Sequence, residues 1–241
     1  MTLPGTASDA PLTSVAELLR RRARQRGSQT AFTFTDESGA EVAWTYAQLD
    51  SRAAAVAEEL QRRVAPGDRA ALVFPPGLDF IAAFFGCLYA GVVPVPATYP
   101  KPRRPSPRLD AIVADCQAAA ILTTAATVDT VQLAEQSPAV RDCPWIAVDQ
   151  LATTRVPTLS HADRSSLAFL QYTSGSTSEP RGVMVTHGNL LANLETIRRG
   201  FGIEIADDDH PPLSGVFWLP AYHDMGLIGG ILTPLYVGGT S

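Results

Sequence analysis

The alternation of apolar and polar positions divides the chain into two regimes. Up to about residue 68, two helical stretches flank a hairpin. In "SVAELLRRRARQRG", Val15, Leu18 and Leu19 recur at helical spacing, Thr13 or Ser14 stands at the N-cap position and Gly27 at the stop. The arginines of this helix are assigned to its solvated face. "TAFTFTD" and "EVAWTY", rich in aromatic and β-branched residues around the turn "ESG", predict two paired strands. Thr45 and Gln48 have the T-x-x-Q spacing of a capping box and open an alanine-rich helix running to about Arg63.

From Arg69 the pattern changes to short apolar runs alternating with helical stretches: "RAALVF", "LDFIAAFFGCLYAG", "VVPVPA", "RLDAIVADCQAAA" and "AILTT". Continuously apolar strands separated by helices predict βαβ units and a parallel sheet covered on both faces. "AATVDTVQLAEQ" reads as a further helix and "PWIAVD" as a further strand; "HADRSSLAFLQYT" then leads into a second layer. The fold class is α/β, with mainly parallel sheets flanked by helices. A first subdomain is expected over residues 1–160 and the start of a second over 161–241. The proline-rich, basic stretch "PVPATYPKPRRPSP" reads as an extended surface loop, in preference to a PxxP ligand at Pro102 to Pro105.

Composition narrows the function classes. A chain of 241 residues with 46% hydrophobic composition can bury a sizeable core, and a formal net charge of −5 gives no overall attraction to nucleic acid. Cys87, Cys116 and Cys143 lie far apart without C-x-x-C spacing, which suits reduced, buried thiols in a cytoplasm and names no metal site. The longest apolar stretch, "FIAAFFGCLYAGVV", is too short to span a bilayer, and no secretory leader pattern opens the sequence.

The chemistry concentrates in "QYTSGSTSEPRGV". Behind the strand-like "LAFLQYT" come Thr173, Ser174, Gly175, Ser176, Thr177 and Ser178, then Arg181, before the strand "VMVT" and a helix capped near Thr186 to Asn189. Hydroxyls, backbone N–H groups and a cation around a glycine make a cradle for phosphate oxygens. The pattern is not a Walker loop, since Gly175 and Gly182 are seven apart and Val183 follows, and no G-x-S-x-G nucleophile elbow occurs.

"YTSGSTSEPRGVMVTH" resembles the phosphate-binding signature of the adenylate-forming enzymes, usually Y-T-S-G-S/T-T-G-x-P-K-G-V, with Ser178 in place of glycine and Arg181 in place of lysine. "FPPGLDFIAAFFGCLYAGVVPVPATYP" and "FWLPAYHDMGLIGGILTPLYVGG" are similar to segments of one branch, the fatty acyl-AMP ligases, so the resemblance runs from about residue 14 to the end. It implies the N-terminal portion of that superfamily's large domain. It further implies ATP and Mg²⁺ as cofactors, a fatty acid as substrate and the phosphopantetheine arm of an acyl carrier protein as acceptor. By the same resemblance Thr173, Ser174, Gly175, Ser176, Thr177 and Arg181 hold the β- and γ-phosphates of ATP. His223 stands at the mouth of an acyl pocket as the catalytic donor, and Asp224 is left to helix capping.

The counterparts of an adenine pocket, a ribose anchor and a catalytic lysine are missing, Lys101 being the sole lysine. The expectation is therefore part of a longer fatty acyl-AMP ligase, inactive by itself. An acyl-CoA synthetase and a non-catalytic binding module on the same fold are the alternatives. An uncovered apolar surface is expected over "GLIGGILTPLYVGG".

Overall fold

The computed structural model describes residues 11–100, 106–131, 136–152, 158–173, 180–207 and 210–241. Helix α1 (Val15–Arg26) begins at Ser14, whose hydroxyl accepts from the Glu17 N–H. The hairpin of β1 (Thr30–Thr35) and β2 (Glu41–Thr45) follows, antiparallel as its residue types predict. At its end Thr45 and Gln48 form the capping box that opens α2 (Tyr46–Arg63).

The centre is a parallel sheet in the order β4-β3-β5-β6, built from β3 (Arg69–Leu72), β4 (Val93–Pro96), β5 (Ala120–Thr123) and β6 (Trp145–Ala147). Side-chain alternation sorts its two faces. Ala70 and Leu72 join the main core, where α3 (Asp79–Ala90) lies between the sheet and α2, buried at every position from Phe80 onward. Ala71, Val73 and Ile121 point the other way, onto α4 (Pro107–Cys116) and Val140 of α6 (Pro138–Arg141). Both faces are thus covered, which is why these strands are apolar without interruption.

Helix α5 (Ala125–Thr130) is shorter than the length read from its sequence. The β-branched run Thr127, Val128, Thr130 and Val131 resists helix, and Thr130 turns its hydroxyl onto the Ala126 carbonyl. Beyond β6, β7 (Leu167–Thr173) and β8 (Arg181–Thr186) make a separate antiparallel hairpin packed beside β4. Helix α7 (His187–Gly200) starts with a second capping box, Thr186 with Asn189. Met225–Leu232 then forms a wide helix with i→i+5 bonds that passes into α8 (Thr233–Val237). Pro234 explains the widening: its nitrogen cannot donate to the carbonyl four residues back, and its ring crowds that carbonyl.

Two expectations are corrected. The arginine run of α1 is not all solvated, because Arg20 and Arg22 are buried. Arg20 bonds Asp50 at 2.9 Å and lies over the Tyr89 ring, while Arg22 donates to the carbonyls of Leu235 and Tyr236. The run from Gly226 to Gly239 is not the uncovered apolar surface either; Leu227, Leu232, Leu235 and Val237 are fully buried. In the segment leading into that run, apolar exposure falls instead on Val216 (88%), Trp218 (86%) and Met225 (68%).

All three cysteines are free and buried, as expected. Among the described residues no helix is long and apolar enough to cross a membrane. Lys101 and the PxxP stretch from Pro102 to Pro105 lie outside the described residues. The division at residue 160 stands as a proposal, since Phe169, Leu190 and Leu232 share one apolar core with Leu19, Leu49 and Phe84.

The C-terminal residues return to the start of the chain. Ser241 exchanges backbone hydrogen bonds with Ala31 and Thr33 of β1, the Thr240 hydroxyl donates to Thr30 and the Tyr46 hydroxyl to Gly239.

Candidate active site

The register of β7 against β8 sets the site. Thr173 pairs with Arg181, Tyr172 with Gly182 and Gln171 with Val183. Thr173 and Arg181 therefore face each other at the loop end of the hairpin, both exposed, as the two supports of the hydroxyl-rich loop. Ser174, Gly175, Ser176 and Thr177 lie outside the described residues.

The hairpin is fixed from below by Tyr172. Its hydroxyl donates to Asp115 of α4, and the Arg108 guanidinium donates to its carbonyl at 3.4 Å. Burial, then the bond to Asp115, raises the Tyr172 phenol well above its ordinary pKa, so it stays a donor. The Tyr172 ring lies across Gly182, where a Cβ would come within 3.0 Å of Cζ. The glycine of "PRG" is thus matched to a ring on the partner strand.

Gln171 faces the same side of β7 as Thr173, two residues on. Its Nε2 donates to the Tyr222 carbonyl at 3.1 Å, which brings the "YHDMG" turn against the hairpin. The His223 N–H donates to the Pro220 carbonyl and the His223 carbonyl accepts from Leu227, so the residue closes a turn and opens the wide helix. The His223 ring is exposed, tilted 41° to the Tyr222 ring at 5.1 Å between centroids. Asp224 accepts from the Met225 N–H at 2.8 Å, the capping role assigned to it. Gly226 is required by a close approach, since a Cβ there would sit 2.2 Å from the Pro220 oxygen.

Beside this turn opens a cleft of about 380 Å³ at the carboxyl ends of β3 and β4, where ligands bind in open α/β sheets. Phe74, Leu78, Tyr99, Trp218 and Tyr222 line it, with mostly apolar walls. Among the described residues no three His, Cys, Asp or Glu side chains come together to hold a metal ion.

Sequence reasoning did not single out Gln171, Tyr172, Arg108 or Asp115. The signal for Gln171 was a polar residue at an inward position of an apolar strand. The other contacts cross between distant segments, and no local pattern marks them.

Comparison with known proteins agrees with this geometry. The chain is 39% identical over 239 residues to the medium-chain-fatty-acid acyl-carrier-protein ligase JamA of Moorena producens (strain JHB), matching 96% of the chain and 39% of JamA. It is 39% identical over 236 residues to the long-chain-fatty-acid AMP ligase FadD23 of Mycobacterium tuberculosis (strain CDC 1551 / Oshkosh), covering 93% of the chain and 40% of the relative. The crystal structure of fatty acyl-adenylate ligase from L. pneumophila, in complex with acyl adenylate and pyrophosphate, superposes with a TM-score of 0.82 at 36% identity, over 95% of this chain and 39% of that one. The chain spans about two fifths of the length of these relatives. With residues 19–241 matching its family model, a parallel α/β sheet and the hydroxyl-loop hairpin at its edge, the chain belongs to the AMP-binding enzyme family.

Proposed function

We propose that the longer protein carrying this chain is a fatty acyl-AMP ligase. A fatty carboxylate attacks the α-phosphate of ATP, forming the mixed anhydride and releasing pyrophosphate. The observation that carries this reading is a juxtaposition: the Thr173 and Arg181 supports stand on a hairpin bonded to the His223 turn, and that turn borders an apolar cleft. A phosphate-binding end and a hydrocarbon-binding end thus lie side by side, as a reaction between a fatty acid and a nucleotide requires.

In this reading Thr173, Ser174, Gly175, Ser176 and Thr177 supply hydroxyl and backbone donors to the β- and γ-phosphates, and Arg181 their counter-charge. Held in place beforehand, these groups stabilise the negative charge that builds on the departing pyrophosphate. His223, exposed and next to the cleft-lining Tyr222, donates toward the reacting carboxylate and α-phosphate oxygens. The described residues offer no cage for Mg²⁺, which would enter on the nucleotide with phosphate and water as its ligands. The acceptor is the phosphopantetheine thiol of an acyl carrier protein, a reading supported by the similarity to JamA.

The test is hydroxylamine trapping of acyl-adenylate by the complete enzyme with ATP, Mg²⁺ and C8 to C18 fatty acids. Arg181→Ala should lower kcat/KM for ATP roughly tenfold or more, the loss expected for one charge-assisted contact. Unchanged kinetics in Arg181→Ala would remove the phosphate role. Efficient transfer to free coenzyme A, with none to a carrier protein, would overturn the acceptor.

A further inference from the structure

We propose that Gln171 is a positioning residue, coupling the phosphate hairpin to His223. The proposal rests on the acyl-AMP ligase reading and concerns how its two halves stay aligned.

Gln171 is only 9% exposed, and its Oε1 has no hydrogen-bond partner among the described residues. Two positions earlier, on the same face of β7, Phe169 packs edge-to-face on Phe84 at 6.0 Å. An apolar residue of similar length would suit this row and leave no acceptor unpaired, so the amide opposes local stability. What it does supply is the bond from Nε2 to the Tyr222 carbonyl, which fixes the peptide plane joining Tyr222 to His223.

The His223 backbone is held by its bonds to Pro220 and Leu227, but its ring is not. Among the described residues its ring makes no hydrogen bond, and the Tyr222 ring is its aromatic neighbour. Gln171 and Thr173 share one strand face, so a displacement of the His223 turn relative to Gln171 is a displacement relative to the phosphate support. A shift of about 1 Å in such an alignment is enough to slow chemistry without abolishing binding. Gln171 touches neither substrate in this scheme; it acts through Tyr222.

Two variants of the complete enzyme separate this from a packing role. Gln171→Met keeps the length and removes the donor. It should lower kcat for dodecanoyl-hydroxamate formation roughly tenfold, with KM for ATP within about twofold. Gln171→Glu donates to the Tyr222 carbonyl only while protonated, so its kcat should fall as pH rises through the carboxyl pKa, a limb that the wild type lacks. Hydrogen exchange on residues 1–241 supplies a readout independent of activity: the amides of 221–224 should exchange faster in Gln171→Met, with those of α3 unchanged. Wild-type kcat and exchange in Gln171→Met would overturn the proposal, as would equal losses in kcat and ATP binding with a lowered Tm. If the wild-type enzyme forms no hydroxamate, the ligase reading fails, and unchanged exchange at 221–224 then refutes the coupling by itself.

Discussion

His187 shows how a single residue joins distant parts of this fold. It opens α7, is 2% exposed, and its Nδ1 accepts the Val15 N–H at 3.2 Å, satisfying the first amide of α1. Burial pushes its pKa down from 6.5 to about 4, against the opposing pull of Asp163 and Glu17. The imidazole is therefore neutral in the folded state, as an acceptor must be. Above pH 6.5 both folded and unfolded states carry it neutral, and its contribution to stability is fully present. As pH falls from 6.5 toward 4 the unfolded chain takes up the proton first, so stability is lost across that window and levels off below it. The loss should reach roughly 3 kcal/mol. His187→Gln can accept the same bond without titrating, so melting curves of the two proteins should converge or cross between pH 6.5 and 4; parallel curves would show that His187 does not carry the effect.

At the scale of elements, the β7–β8 hairpin is held by one ring against one glycine. Gly182→Ala would place a methyl group within 3.0 Å of the Tyr172 ring and displace its hydroxyl from Asp115. Overpacking of this kind destabilises by about 1–3 kcal/mol, or roughly 2–12 °C in Tm for a chain of this size. Gly200→Ala, whose Cβ would meet nothing within 4 Å, should leave Tm within about 2 °C and serves as the control. Elements held by local rules were legible in the sequence: the Thr45–Gln48 capping box and the cap near Thr186 to Asn189 from spacing, the β1–β2 hairpin and the apolar strands β3 to β5 from residue type. The hydroxyl loop was read as a phosphate cradle from its residue types, and with 174–179 outside the described residues that role stands as a proposal. What could not be read depends on partners remote in the chain. Arg20 is buried because Asp50 meets it, Arg22 because α8 ends beside it, and Gln171 because the Tyr222 carbonyl reaches it. The wide helix at Met225–Leu232 also escaped, since an i→i+5 turn leaves nearly the same apolar spacing as an α-turn.

For the molecule as a whole, the expected behaviour of residues 1–241 alone is no adenylation of a carboxylate. Adenylation requires carboxylate, α-phosphate and charge-stabilising groups held together, and such alignment contributes roughly 7–11 kcal/mol to barrier lowering. The chain carries the hairpin, the His223 turn and the cleft, and Lys101 is its sole lysine. Purified 1–241 with ATP, Mg²⁺ and dodecanoate should form no hydroxamate above the enzyme-free control; hydroxamate abolished by Arg181→Ala would prove this chain a complete catalyst. Val216, Trp218 and Met225 should also drive self-association at high concentration, relieved by Trp218→Ser in size-exclusion chromatography. The ties between the two ends of the chain bear on its biosynthesis. Arg22, Thr30, Ala31, Thr33 and Tyr46 all bond to residues 235–241, so the first layer to leave the ribosome lacks its last partners until translation is some two hundred codons further on. At ordinary elongation rates the wait lasts roughly 10–40 s. Through that interval an α1 whose Arg22 lacks its carbonyl partners, and a hairpin with an unpaired edge, are the surfaces a chaperone would meet.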